Sequence, residues 1–270
     1  MPTYIVLGMH RSGTSAVAGM LDRLGVRMGP KTARPDWIGR HWSNPMGHFE
    51  NPDIVGLNGM ILGYDGTGVH ESPYWDEIPD RARALAPAIE RTLRATEGEL
   101  WGWKDPWSVL TVEEFLPKVR DPRFIFVVRD PDQVAESLLR RDGTGSAESR
   151  RIADRFATKL ADIAARHPEI PRLDLQFDEV MRDPSTTIDR LVAFAGLHPS
   201  AEQRGAAAAL IVDAPTLHAL GRELAVRGLV TYPKWLIWLV ARDLRRGRRN
   251  VSALWRNASQ ELAGAFRAVV

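Results

Sequence analysis

The segment Gly8-Met9-His10-Arg11-Ser12-Gly13-Thr14-Ser15 holds two glycines five residues apart, between a short apolar run and a helical pattern. Glycines so spaced let the chain turn tightly enough for its backbone N–H groups and the next helix's first turn to wrap an anion. The lysine that follows the second glycine in triphosphate-binding loops is missing, and Thr14 stands in its place. That lysine serves β- and γ-phosphates, so its loss argues against an ordinary ATPase or kinase.

A cation is still present in the loop at Arg11, and the arrangement suits a shorter, two-centre anion such as a phosphosulfate. A glycine turn that binds nothing is the alternative. The second constellation is Phe124-Ile125-Phe126-Val127-Val128-Arg129-Asp130-Pro131, with Ser137 eight residues beyond Arg129. A cation at the carboxyl end of a buried strand lies where open α/β sheets bind ligands. Arg129 offers a bidentate fork for phosphate, and Ser137, about two turns into the following helix, can add a hydroxyl. Taken alone, an arginine at a strand end is more often half of a structural ion pair.

The elements that must position these residues follow from periodicity. Tyr4 to Leu7 reads as a strand and Thr14 to Leu24 as a helix. Gly29 to Tyr74, rich in Gly, Pro, Asn and Trp, reads as long loops that carry side chains to a site. A helix is expected from about Asp80 to Thr96, a strand at Trp101 to Lys104, a helix at Thr111 to Lys118 and a buried strand at Phe124 to Val128. Pro131 opens another helix, and Ala147 to His167 has a long amphipathic pattern. Leu173 to Phe177 is a candidate strand, and Asp183 and Pro184 open a helix that Gly196 ends. Strands alternating with helices imply an α/β fold with a P-loop-like doubly wound parallel sheet, flanked by helices and followed by a helical C-terminal extension. Residues 1–232 are read as the α/β domain and 233–270 as a basic amphipathic tail of the same domain.

Composition sets outer bounds. A chain of 270 residues, 44% hydrophobic and 26% charged, can bury one sizeable core. With no cysteine there is neither a disulfide framework nor a thiolate nucleophile, and no dense cluster of metal ligands appears. The N-terminus lacks the pattern of a secretory signal, and the apolar run from Trp235 to Ala241 is too short for a bilayer, which takes about 20 residues. A cytoplasmic protein is expected. The net charge of +2 is uneven: from Lys234 onward eight Lys and Arg face Asp243 and Glu261, leaving the tail near +6 and the rest near −4. Such a tail is either a solvated helix face or a contact surface for an anionic partner.

Together the two constellations resemble the sulfotransferases that use 3′-phosphoadenosine 5′-phosphosulfate (PAPS), and more closely their bacterial branch with an Arg-Ser-Gly-Thr loop. The likeness spans roughly residues 3 to 197. It implies that Arg11, Ser12, Gly13, Thr14 and Ser15 hold the 5′-phosphosulfate and that Arg129 and Ser137 hold the 3′-phosphate. Trp101-Gly102-Trp103-Lys104-Asp105-Pro106 resembles the family's Lys-Asp-Pro motif, which puts Lys104 near the phosphosulfate. Phe177-Asp178-Glu179 resembles an aromatic-acidic segment whose aromatic lies near adenine, with Phe here for the commoner Tyr. The basic-glycine segment that many members use as a further 3′-phosphate clamp is not recognisable, and Arg222, Arg227 and Gly228 are the substitutes available.

The resemblance implies transfer of a sulfuryl group from PAPS to a hydroxyl or amine of a small-molecule, carbohydrate or lipid acceptor, with release of 3′-phosphoadenosine 5′-phosphate (PAP) and no metal required. Arg11, Lys104 and the helix N-terminus at Thr14 would supply positive charge at the leaving phosphate. For the base, carbohydrate-type relatives use a glutamate from the loop after the first helix; Glu50 is the first candidate and His48 the second, within Gly47-His48-Phe49-Glu50-Asn51. His41 and His70 read as structural or acceptor-contacting. Trp37, Trp42, Trp75 and Trp107 either line an acceptor pocket or plug loops onto the core. An ATP-dependent phosphotransferase and a non-catalytic nucleotide-binding protein are the rival readings. Nucleic acid is not an expected partner. In the tail, Trp235 to Val240 precede Arg242, Arg245, Arg246, Arg248 and Arg249, a pattern for covering the acceptor entrance, homodimer formation, peripheral membrane contact or packing on the core.

Overall fold

The computed structural model describes residues 1–29, 44–63, 77–96, 98–142, 146–213 and 215–225. Its sheet has four parallel strands in the order β2-β1-β3-β4, with β1 at Thr3–Leu7, β2 at Trp101–Lys104, β3 at Pro122–Val128 and β4 at Arg172–Gln176. All five residues of β1 are buried, as a central strand covered on both faces requires.

Alternation along the strands divides the core in two. Ile5, Leu7, Phe124 and Phe126 face one helical layer, to which α2 (Pro52–Leu62), α5 (Ser108–Phe115) and α7 (Ser146–Arg166) contribute. Tyr4, Val6, Ile125 and Val127 face the other, formed by α1 (Thr14–Arg23), α9 (Pro184–Ala195) and α10 (Ala201–Ala208). The Tyr4 hydroxyl donates to the Ala195 carbonyl at 3.0 Å, fastening β1 to the end of α9. The doubly wound parallel sheet expected from the sequence is thus present. β1 leads to β2 on one side while β3 leads to β4 on the other, so the chain reverses direction between β1 and β3 and leaves a crevice at their carboxyl ends.

Local chemistry accounts for most element boundaries. Asn51 caps α2 by accepting from the N–H of Asp53 at 2.9 Å and of Ile54 at 3.4 Å, with Pro52 in the first turn. Asp130 accepts from the N–H of Asp132 and Gln133 to open α6 (Pro131–Asp142). Asp183 caps α9, and Gly196 closes it at φ 63°. Ser200 and Gln203 form a reciprocal capping box on α10.

Three details differ from the sequence reading. The single helix expected from Asp80 to Thr96 is two, α3 (Ile78–Ala84) and α4 (Ala86–Arg94), because Pro87 has no N–H for the Arg83 carbonyl. α2 lies inside a stretch read as loop. Phe177 does not end a strand but begins the short helix α8 (Phe177–Arg182). A helix α11 over residues 215–225 agrees with the helical character expected there. The tail at 233–270 lies outside the described residues, as do Trp37, Trp42, Trp75, His41, His70, Arg227 and Gly228. No helix among the described residues is long and apolar enough to cross a membrane.

Gly102 pairs with Tyr4, and a Cβ there would drive into the Tyr4 carbonyl oxygen. Backbone cannot yield as a side-chain tip does, so Gly102→Ala should destabilise the fold by about 1 to 3 kcal/mol, read as a lower midpoint in urea unfolding.

Candidate active site

The crevice between β1 and β3 collects residues from five parts of the chain. At its floor, the loop after β1 turns through Arg11 at φ 67° and Gly13 at φ 90°. Gly13 caps α1 in this left-handed conformation, and a Cβ there would collide with the Phe177 ring. Gly8 is equally confined, since its Cβ would lie 2.6 Å from the Val127 carbonyl oxygen. Both glycines are therefore needed for close approach of backbone to backbone and to ring.

Ser12 is turned inward. Its N–H and its hydroxyl both donate to the Met9 carbonyl, at 3.1 and 2.7 Å, so it shapes the loop. Thr14 is buried at the start of α1, where the Ala16 N–H already donates to the Gly13 carbonyl at 3.0 Å and the N–H groups of Thr14 and Ser15 precede the first intrahelical acceptor.

Arg11 reaches across the loop. Its Nε donates to Ser137 Oγ at 3.0 Å, joining the loop after β1 to α6 across 126 positions of sequence. Arg129, at the end of β3, donates from Nη1 to the Arg11 carbonyl at 2.8 Å and from Nε to Gln133 Oε1 at 3.1 Å. Its guanidinium lies 4.1 Å from the centre of the Phe177 ring. Burial lowers the proton affinity of Arg129, and the negative charge of Asp178 opposes this. The two constellations recognised in the sequence are therefore one cluster, with Phe177 packed between Gly13 and Arg129. A cleft of about 210 Å³ adjoins Arg129, and the small side chains Ala153, Ala157, Ala161 and Ala164 of α7 form part of its apolar wall.

On the other side of the loop, β2 delivers Lys104, which is 1% exposed. Its Nζ donates to Ser15 Oγ at 3.0 Å and to Glu50 Oε1 at 2.6 Å. Asn44 Nδ2 also donates to Ser15 Oγ, at 2.9 Å. With both lone pairs of that oxygen engaged, the Ser15 O–H is left to donate to an anion. Glu50 arrives because Gly47 at φ 110° and Phe49 at φ 52° turn the segment before α2, burying Phe49 against Gly19 of α1. His48 sits half-buried between them, and it is Glu50 that meets Lys104.

Among the other residues singled out, Trp107 packs edge-on to His10 at 5.0 Å and near Phe156 at 6.2 Å, which makes it a plug of the loop onto the core. Arg222 lies exposed on α11. Asn44 and Asn58 escaped the sequence reading. The signal for Asn58 was a lone amide in the apolar run Pro52-Asp53-Ile54-Val55-Gly56-Leu57-Asn58, four residues after Ile54 and three before Ile61 on the buried face. Among the described residues, no group of three or more His, Asp and Glu is placed to hold a metal ion.

A parallel sheet with a glycine loop after its central strand, and with Arg11, Lys104 and Arg129 gathered at the switch point, defines an α/β protein of the P-loop-like class. Within that class the chain belongs to the Sulfotransferase family, whose sequence model matches residues 2–201, and it is a transferase. A sulfotransferase from Mycobacterium avium shares the fold, with a TM-score of 0.50 at 16% identity over 82% of this chain and 75% of that one. The sulfotransferase domain of the Synechococcus PCC 7002 olefin synthase aligns with a TM-score of 0.49 at 16% identity, covering 83% of this chain and 87% of its own. No curated protein matches the chain.

The Lys104–Glu50 pair has a direct energetic consequence. Glu50→Ala strands a buried ammonium and should cost about 1 to 3 kcal/mol in urea unfolding. Lys104→Met in the same chain should recover most of that loss, because removing both charges leaves no uncompensated ion.

Proposed function

We propose that the protein transfers a sulfuryl group from PAPS to a hydroxyl or amine of a small-molecule, carbohydrate or lipid acceptor, and releases PAP. The observation that carries this reading is the Arg11–Ser137 hydrogen bond, which joins the phosphate-type loop and the Arg129–Ser137 pair into one crevice with two cationic poles. PAPS carries anionic groups at both ends of one nucleoside, and a crevice of this kind complements them. Arg129 and Ser137 take the 3′-phosphate. Arg11, Lys104, Ser15 and the first-turn amides of α1 take the 5′-phosphosulfate, and Phe177 lies alongside the adenine. The missing triphosphate lysine at Thr14 disfavours ATP.

In the transfer, the acceptor oxygen or nitrogen forms a bond to sulfur while the bond from sulfur to the phosphate oxygen breaks. The acceptor's proton passes to Glu50, and the charge left on the phosphate meets Arg11 and Lys104. Glu50 is the favoured base because its carboxylate already touches Lys104, the cation assigned to the phosphosulfate. Attack and departure then occur at the two ends of one ion pair.

PAP should bind in calorimetry with or without a chelator, and tight binding of magnesium ATP with none of PAP would reject the donor assignment. Arg129→Ala should weaken PAP by about 1.5 to 3 kcal/mol and spare adenosine 5′-phosphosulfate, which has no 3′-phosphate; equal loss for both ligands makes Arg129 structural. Glu50→Gln should lower turnover of PAPS, with water or a screened acceptor, by about 100-fold or more while PAP affinity holds. Should His48→Ala show that pattern instead, the base is His48.

A further inference from the structure

Where the loop after β1 enters α1, one hydroxyl oxygen is held from two sides. Ser15 Oγ accepts from Lys104 Nζ at 3.0 Å and from Asn44 Nδ2 at 2.9 Å. A serine hydroxyl has two lone pairs and one proton, so both accepting positions are filled and only the proton remains to be shared. Among the described residues no acceptor takes it. With Lys104 alone, one lone pair stays open and the proton can swing aside. The second donor is built in by the backbone: the Asn44 carbonyl accepts from the Gly47 N–H at 3.0 Å, with Pro45 inside that turn and Met46 packed on the core layer of α1. The same segment runs on to Glu50, the other partner of Lys104. An amide at position 44 donates without bringing charge. A carboxylate there would instead accept the Ser15 proton.

We propose that Asn44 is a positioning residue of the donor site: by donating to Ser15 Oγ it commits the Ser15 hydroxyl to donate to the 5′ anion of the bound nucleotide. The inference rests on the reading of the loop after β1 as the holder of that anion, and it adds the residue that makes Ser15 a donor. Lys104 spends two of its three hydrogens on Ser15 and Glu50, so one of its hydrogens and the Ser15 proton are left for the anion. Both directions are set before the ligand arrives, and binding then needs no reorganisation of the hydroxyl. With an acceptor in place of the amide, the Ser15 proton is consumed inside the protein and a lone pair faces the ligand. Such a change weakens a nucleotide that has a 5′ anion and spares one that lacks it.

Calorimetry with the full chain compares PAP with adenosine 3′-phosphate, which lacks the 5′ anion. Ser15→Ala should weaken PAP about tenfold and leave adenosine 3′-phosphate within about twofold, since one charge-assisted hydrogen bond is lost. In Asn44→Asp, whose carboxylate keeps the shape of the amide and takes the Ser15 proton, PAP should already be weaker by about tenfold or more. Adding Ser15→Ala to that chain should cost less than about twofold, because the hydroxyl no longer serves the ligand. The charge brought by the aspartate is common to both chains of this comparison and cancels. A merely structural role for Asn44 would weaken both nucleotides alike and leave the Ser15→Ala cost near tenfold in the Asn44→Asp chain. That result overturns the proposal, as does a Ser15→Ala protein that binds PAP like the unaltered one. If Asn44→Asp does not fold, Asn44→Ala replaces it: the Ser15→Ala cost should drop there to about threefold, and a cost still near tenfold overturns the proposal. The donor reading fails separately, through an unaltered chain that binds no PAP, and takes the proposal with it.

Discussion

The parallel pairing of β1 with β2 on one edge and β3 on the other is the constraint from which the site follows. Register sets Val6 beside Lys104 and Leu7 beside Phe126, so three strands end together and deliver the glycine loop, Lys104 and Arg129 to one level. Burial of every β1 side chain holds that level in place, because a slip of one residue would exchange the two faces of the core. The Tyr4–Ala195 hydrogen bond and the close approach of Gly102 to Tyr4 keep the same strand from sliding.

Around this frame the charges have unequal weight. Arg83–Asp80 and Arg140–Glu136 are exposed pairs on helix surfaces, where solvent leaves an attraction of under about 1 kcal/mol. Lys104, at 1% exposure, is in a different regime: a pair at the same separation is several times stronger there, and loss of a partner is correspondingly costly. The Glu113 cluster with Lys159 and Arg166 ties α5 to α7, and its carboxyl stays below the usual range because those cations and His167 outweigh its burial. That cluster is architectural. The pairs at the switch point differ in that their partners, a serine hydroxyl for Arg11 and a backbone carbonyl for Arg129, are ones an anion can displace or join.

Much of this was legible in the chain itself. Strands β1, β2 and β3 stand within two residues of their expected bounds, since a buried apolar run between turn residues has few other solutions. The helix starts at Pro131 and Pro184 carry their own capping chemistry. α2 was hidden because Gly56, Gly59 and Asn58 dilute its helical propensity, and burial of Ile54, Leu57 and Ile61 outweighs that deficit. Pro87, by contrast, was visible and still did not reveal that α3 and α4 separate at Leu85, because a proline in a helix's first turn and one in its middle look alike in a sequence.

By itself the sequence determined the kinds of groups available: a loop with glycines where backbone must bend, an arginine within that loop and a threonine where triphosphate loops carry lysine, a serine two turns into a helix, and no thiol. Those are properties of residue type and short-range spacing, which bond lengths and helical pitch convert into local geometry. Tertiary structure alone decided which groups meet. Arg11 on Ser137, Lys104 between Ser15 and Glu50, and Asp105 against Asn58 join positions 126, 89, 54 and 47 residues apart. Such contacts depend on strand order and on how deeply each side chain is buried, which also puts Asp105 rather than a surface carboxylate near neutrality. Desolvation is a property of the packed interior, and no pattern along the chain contains it.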